Sequence, residues 1–254
     1  MMNIESLIKE EIIGRKCRIC GRWIEPITVK IGDRERTVVP ACECEVEAYE
    51  REKERQKRKE LATYLEQFFA LSNAERYRNC SLENFEPLLG VASAFEKVKN
   101  YVAGLEENLR KGRGLVLYGP VGTGKSHLAA AVYWEAKRKD YSAVFNTVSS
   151  LMDRLDKARL DSRESEFDLL ELLKVADLLI LDDLGVEVKS DRSAKRIYEV
   201  IAGRYSTNRA TIITTNLDKQ EDMVQWLGAR VFDRLLETAE FVKFSGESYR
   251  WRKR

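Results

Sequence analysis

The sequence predicts an α/β fold, a parallel sheet covered by helices, preceded by a small zinc-binding module and a charged helix. Three observations carry this prediction. From about residue 90, short apolar runs alternate with helical patterns, as strands do when both faces of their sheet are covered. One of these runs, Gly114–Tyr118, leads directly into a glycine-rich turn and a helix. Upstream, four of the five cysteines cluster between Cys17 and Cys44.

A chain of 254 residues accommodates one large domain plus a small module. The boundary is expected near residue 75: residues 1–75 form the module and a linker helix, and residues 76–254 the larger domain. The formal net charge of +2 argues neither for nor against nucleic acid. No apolar run approaches the roughly 18 residues of a membrane span, and the first residues are too polar for a signal peptide. A cytoplasmic protein is expected, in which cysteines serve metal binding rather than disulfides.

The spacing of Ile4, Leu7, Ile8 and Ile12 reads as a short amphipathic helix. Val29–Ile31 and Thr37–Val39 read as two short strands around a Gly32-Asp33 turn. Residues 45–70 lack Gly and Pro and are dense in charge, which predicts a long helix whose early part bridges solvent. Helices are then expected at 92–108, 125–139, 151–173 (in two pieces), 192–206 and 229–238. Strands are expected at 114–118, 143–146, 178–181, 211–215 and 241–244.

The turn after the first of these strands reads Gly119-Pro120-Val121-Gly122-Thr123-Gly124-Lys125-Ser126, which fits G-x4-G-K-S/T. Its glycines leave backbone N–H groups free to curl around phosphate oxygens, and the helix that follows adds its positive end. Lys125 is expected to reach the β- and γ-phosphates of ATP, and Ser126 to hold Mg²⁺. The run Leu178–Leu181 ends in Asp182-Asp183, at the carboxyl end of a strand, where parallel sheets bind ligands. Asp182 is a candidate for supporting Mg²⁺ and Asp183 for orienting the attacking water; both could instead cap the next turn. Asn216 closes another β-branched strand, placed to touch the γ-phosphate or the water, or simply to form a turn.

With these segments in hand, the sequence resembles the AAA+ family: Gly119–Ser126 its Walker A motif, Leu178–Asp183 its Walker B and Asn216 its sensor 1. Within AAA+ it is similar to bacterial helicase loaders of the DnaC/DnaI type, which share a branch with the IstB transposition ATPases. Leu181–Gly185, Thr214-Thr215-Asn216, Gly228–Leu235 and Ser248-Tyr249-Arg250 carry that likeness, over about residues 80–254. The resemblance implies ATP hydrolysis by Lys125, Asp182, Asp183, Asn216 and Arg234. Arg234 looks like an arginine finger acting on ATP of an adjacent subunit, which implies self-association, and Arg250 like the sensor 2 arginine. Either arginine could also be an ordinary surface side chain. Many relatives carry Glu where this chain has Asp183.

Cys17-x2-Cys20 and Cys42-x-Cys44 suit tetrahedral Zn²⁺, which would stabilise a module with little core of its own. Cys80 has no such partner, and His127 reads as a packing residue. By resemblance, the module grips the replicative helicase hexamer. Ile4, Leu7, Ile8, Ile12 and Trp23 are then contact candidates, or else the module's own core. The resemblance also implies an extra helix within residues 147–175, where Arg154, Lys157 and Arg159 could meet single-stranded DNA. The basic tail Arg250–Arg254 is a second candidate. The expected function is ATP-dependent loading of the replicative helicase onto single-stranded DNA. An IstB-like transposition helper and a non-hydrolysing ATP-switched adaptor are the alternatives.

Overall fold

The computed structural model describes residues 13–69, 74–87, 90–161, 165–185 and 190–249. The expected first helix with Ile4, Leu7, Ile8 and Ile12, and the tail from Arg250 onward, lie outside these residues. Two compact units, Met1–Lys57 and Arg58–Arg254, divide the chain. Among the described residues no helix is long and apolar enough to cross a membrane.

In the first unit, β1 (Arg15–Lys16) and β2 (Trp23–Ile24) form a short antiparallel pair around the first two cysteines. β3 (Ile27–Ile31) and β4 (Arg34–Val38) form the hairpin expected around Gly32-Asp33. Gly32 takes a positive φ of 61°, which a residue with a Cβ adopts only under strain. Helix α1 (Glu43–Phe68) follows, and its residues up to Lys57 are almost all exposed, as a stretch dense in charge with only scattered apolar side chains requires.

The second unit begins with the last turns of α1, where Ala62, Leu65 and, just beyond the helix, Phe69 become buried. Then come α2 (Ala74–Tyr77), α3 (Ala92–Ala103) and α4 (Leu105–Arg110). The single helix expected over 92–108 is split at Gly104, a residue that weakens helix interiors. Next follow β5 (Gly114–Tyr118), α5 (Lys125–Arg138), β6 (Ala143–Thr147), α6 (Val148–Leu160), α7 (Glu166–Val175) and β7 (Leu178–Leu184). The unit closes with α8 (Asp191–Ser206), β8 (Ala210–Thr215), α9 (Gln220–Leu227), α10 (Ala229–Thr238) and β9 (Ala239–Lys243). Helix α9 was not expected from the sequence, and β7 runs past the apolar stretch to include Asp182 and Asp183.

The five strands make one parallel sheet in the order β6-β7-β8-β5-β9. Alternate side chains explain why the strands are apolar throughout. Leu115, Leu117, Phe145, Leu178, Ile180 and Ile212 join one buried cluster; Val116, Val144, Leu179, Leu181 and Ile213 join the other. Burying each such side chain stabilises the fold by about 1.5–3 kcal/mol.

At the amino-terminal end of this sheet, Arg204 of α8 is only 1% exposed. Its guanidinium donates to the carbonyls of Leu173 (2.6 Å), Ala176 (2.8 Å) and Ala210 (2.5 Å) and to the Thr211 hydroxyl (3.0 Å). One cation thereby satisfies the carboxyl end of α7 and the start of β8. Arg204→Met strands three buried carbonyls and is expected to cost about 3–5 kcal/mol. Urea unfolding would show it as a midpoint lower by about 1–2 M at unchanged slope; an unchanged midpoint would remove Arg204 from the account of stability.

Candidate functional site

The loop 119–124 leaves the carboxyl end of β5 and opens α5 at Lys125. Its glycines are required by the protein around it as well as by any ligand. A Cβ on Gly119 would stand 2.1 Å from the Phe244 carbonyl oxygen, and one on Gly122 2.0 Å from Ser248 Oγ. The segment after β9 therefore forms the outer wall of the loop, with Phe244 N–H donating to Tyr118 O (2.7 Å) and Tyr249 N–H to Gly122 O (2.9 Å). Arg250, the next residue, lies outside the described residues.

Lys125 is 5% exposed, and its ammonium donates to the Gly119 and Pro120 carbonyls at 2.7 Å each. It is thus held inside the loop's curve, at the positive end of α5. A phosphate oxygen, being charged, is a stronger acceptor than either carbonyl. Thr123 Oγ1 donates to Pro120 O at 2.9 Å and braces the turn. Val121, at the loop's tip, is 53% exposed.

Two strands away in sequence, β7 brings Asp182 to the same end of the sheet. Asp182 is fully buried. It accepts from Thr214 Oγ1 at 2.6 Å and from Tyr77 OH at 3.3 Å, and Ser126 lies within hydrogen-bonding reach of both Asp182 and Tyr77. Burial pushes the Asp182 carboxyl pKa above its ordinary value, against the pull of Thr214, and the neighbouring Asp183 charge adds to the rise. Burial, together with the Asp182 charge, pushes the Tyr77 hydroxyl up to about 12, so it stays a proton donor. A buried carboxylate beside a serine hydroxyl and a phosphate loop is a donor set that fits a hard divalent cation such as Mg²⁺.

Asp183 sits in a bulge where the β7–β8 register slips between Leu181 and Leu184. Its φ is +57°, a left-handed conformation that Asp and Asn tolerate because their short side chains bond locally. Its N–H donates to Thr214 Oγ1 at 2.9 Å. Asp tolerates that backbone more readily than the longer Glu. Asn216 follows β8 directly, and the Tyr118↔Thr215 register sets it beside Gly119 on the neighbouring strand. The sheet therefore brings Lys125, Ser126, Asp182, Asp183 and Asn216 to one edge.

Arg234 does not join them. It lies on α10, between the rings of Tyr198 and Tyr205 on α8, while Arg230 one turn earlier is exposed. In the α6 segment, Arg154 donates to Phe68 O at 3.3 Å, whereas Lys157 and Arg159 point into solvent. His127 bonds the Ser81 carbonyl and Asn84, each at 3.0 Å, and packs on Phe85. Cys80 packs at the edge of the buried cluster that holds Leu115 and Leu117. Tyr77 and Thr214 were missed as site residues. Thr214 offers only a hydroxyl near the end of a β-branched strand, with nothing local to pair it with the two acids; Tyr77, 105 residues from Asp182, offers no signal.

In the first unit the Sγ atoms of Cys17, Cys20, Cys42 and Cys44 all lie within 4.8 Å of one another, with Cys17–Cys44 at 3.3 Å, Cys42–Cys44 at 3.5 Å and Cys20–Cys42 at 3.8 Å. Zn–S bonds of about 2.3 Å in a tetrahedron set sulfurs about 3.8 Å apart, so this cluster could hold a metal ion. Ile19 and Cys20 N–H groups point at Cys17 Sγ (3.3 and 3.5 Å). Glu45, which the sequence reading did not single out, ties the two halves together. Its carboxylate accepts from Arg15 (2.7 and 2.5 Å), Cys42 N–H (3.1 Å) and Arg18 N–H (3.3 Å). The Arg15 guanidinium, then the Cys42 N–H, hold its carboxyl pKa far below the ordinary range.

Comparison with known proteins matches residues 52–254 to the family of IstB-like ATP binding proteins; the four clustered cysteines fall outside the match. The chain is 34% identical over 178 residues to the replicative helicase loader DnaC of Escherichia coli (strain K12), spanning 69% of this chain and 71% of that protein. Its fold is similar to the crystal structure of the DnaC helicase loader, with a TM-score of 0.61 and 29% identity over 68% of this chain and 100% of that one. A crystal structure of DnaI matches with a TM-score of 0.58 and 26% identity, over 67% and 94% of the two chains. The family match covers well over half of the chain, and the chain belongs to the family of IstB-like ATP binding proteins, with DnaC helicase loaders among its relatives.

Proposed function

We propose that this chain is an ATPase that loads the replicative DNA helicase onto single-stranded DNA. The observation that carries this reading is the 34% identity to a helicase loader across 178 residues, 69% of this chain. In this reading ATP sits in the loop 119–126, its phosphates bonded by the loop N–H groups and Lys125. Ser126 and Asp182 would hold Mg²⁺, which neutralises charge on the β- and γ-phosphates. Thr214 and Tyr77 keep the Asp182 carboxylate aimed by donating to its oxygens. Asp183 orients the attacking water and accepts its proton, and Asn216 fixes the same water from the next strand. Arg234 acts from an adjacent copy of the chain, stabilising charge on the transferred phosphoryl. Arg250 is proposed to contact phosphate beside it, and Lys157 and Arg159 to meet single-stranded DNA.

The module of residues 1–75 is proposed to bind Zn²⁺ through Cys17, Cys20, Cys42 and Cys44 and to grip the helicase hexamer. It carries Ile19 (57% exposed), Trp23 (49%) and Ile31 (65%) on its surface, so Trp23 reads as a contact rather than as core. The family's own description favours one second reading, an IstB-like transposition helper, which would take a transposase and duplex DNA in place of the helicase.

Two outcomes test this reading. Because burial raises the Asp182 pKa, its ionised form costs folded stability as pH rises above the ordinary carboxyl range, and this cost is present at pH 7. Asp182→Asn should therefore unfold no lower than the native chain when no nucleotide is added. The Mg²⁺-dependent part of the rise in Tm, about 5–10 °C for the native chain at saturating ATP, should vanish. An equal Mg²⁺-dependent rise in both chains would contradict the assignment. Native mass spectrometry with the host's replicative helicase should show a complex carrying about one zinc per copy of this chain. Trp23→Asp should weaken that complex at least about tenfold. No complex with or without ATP, alongside capture of a transposase, would favour the transposition helper; less than half an equivalent of zinc with reduced thiols would remove the metal.

A further inference from the structure

Helices α8 and α10 carry a constellation that the nucleotide edge leaves unexplained. The guanidinium carbon of Arg234 lies 5.4 Å from the ring centroid of Tyr198 and 5.4 Å from that of Tyr205. The two tyrosines are seven residues apart, two helical turns, so they stand on the same face of α8. Tyr205 is fixed from the far side: its hydroxyl donates to Glu237 Oε2 of α10 at 2.5 Å. Glu237 Oε2 thus accepts from a hydroxyl, and neither Glu237 nor the adjacent Asp233 pairs with Arg234 among the described residues. Arg234 makes no ion pair among the described residues, and its Nη1 is buried without a hydrogen-bond partner there. Arg230, by contrast, is exposed.

This is an unusual way to hold an arginine. A carboxylate would hold it by taking up its N–H donors and cancelling its charge. A ring face attracts the cation through its quadrupole but offers no lone pair, so the donors stay unspent and the charge stays whole. A buried N–H without an acceptor is unfavourable, and an oxyanion brought from outside the chain would relieve it. Tyr198 and Tyr205 remain 37% and 38% exposed, so the clamp opens onto the surface rather than into the core.

We infer that Tyr198 and Tyr205 form an aromatic clamp that presets Arg234 as an unneutralised cationic arm, which a phosphate group held by a second copy of this chain completes. The two tyrosines are positioning residues: they act through Arg234 and touch no substrate. This deepens the reading of Arg234 under the proposed function and rests on it.

The test uses the full chain with single-stranded DNA. It measures ATP turnover per subunit beside equilibrium binding of a fluorescent ATP analogue. Arg234→Ala is expected to lose turnover by about a thousandfold while binding ATP normally. Tyr198→Leu and Tyr205→Leu are expected to lower turnover about tenfold with unchanged ATP affinity and Tm, and the Phe variants at either position to stay within about threefold of the native chain. Mixing then locates the effect. Lys125→Ala subunits, which supply an arm but bind no ATP, should restore turnover to Arg234→Ala subunits. The same Lys125→Ala subunits carrying Tyr198→Leu should not, whereas those carrying Tyr198→Phe should.

If Arg234→Ala turns over ATP normally, the underlying reading of Arg234 falls. If Arg234→Ala is inactive but the Leu variants turn over normally and rescue in mixtures, the reading stands and the clamp is overturned. Loss of ATP binding in the Leu variants that matches their loss of turnover would also overturn the clamp, because the effect would then lie in their own site.

Discussion

The nucleotide edge depends on one hydroxyl. Thr214 Oγ1 donates to the Asp182 carboxylate and accepts from the Asp183 N–H, so a single side chain on β8 fixes both acids of β7. The geometry needs the bulge between Leu181 and Leu184, because an unbroken ladder would point successive residues to opposite faces. It also needs Asp183 at positive φ, a strain that the surrounding strands hold in place. Asp182 is then a carboxylate withdrawn from water, and among the described residues its surroundings answer with three hydroxyls, from Thr214, Tyr77 and Ser126, rather than with a cation. Under the proposed function, such a carboxylate would receive a cation together with the nucleotide.

Much of this edge was legible in the sequence because its signals are local. Glycine spacing identifies the loop between β5 and α5, and the apolar run ahead of Asp182 identifies the strand β7. What was hidden depends on register and long-range packing. Thr214 meets Asp182 only because β7 and β8 are neighbours in a sheet whose order no short window reveals. Tyr77 reaches the same carboxylate from a four-residue helix with no periodicity to detect. Helix α9 was missed because Lys219 at its start offers no side-chain cap and only Met223, Trp226 and Leu227 turn inward. The strands β1 and β2 are too short to read; the cysteine turn sets them, through Cys17 N–H to Arg22 O at 2.7 Å.

The first unit obeys a different constraint. Its only buried apolar side chains among the described residues are Cys17, Ile24 and Cys42, too few to hold a fold. Four converging thiols and the Glu45 carboxylate that ties Arg15 to the Cys42 turn take the place of a core. The exposed Ile19, Trp23 and Ile31 follow from the same shortage, since a module this small has nowhere to bury them. Under the proposed function, these exposed side chains would form the surface that meets the helicase.

The central claim is that these two units together place a helicase on DNA. The direct measurement is strand unwinding by the host's replicative helicase on single-stranded DNA coated with single-strand-binding protein, with and without this chain. The account predicts little unwinding by the helicase alone, strong unwinding when this chain and ATP are added, and none when Lys125→Ala replaces the native chain. Unwinding that is indifferent to the native chain, under conditions where the helicase itself is active, would contradict it.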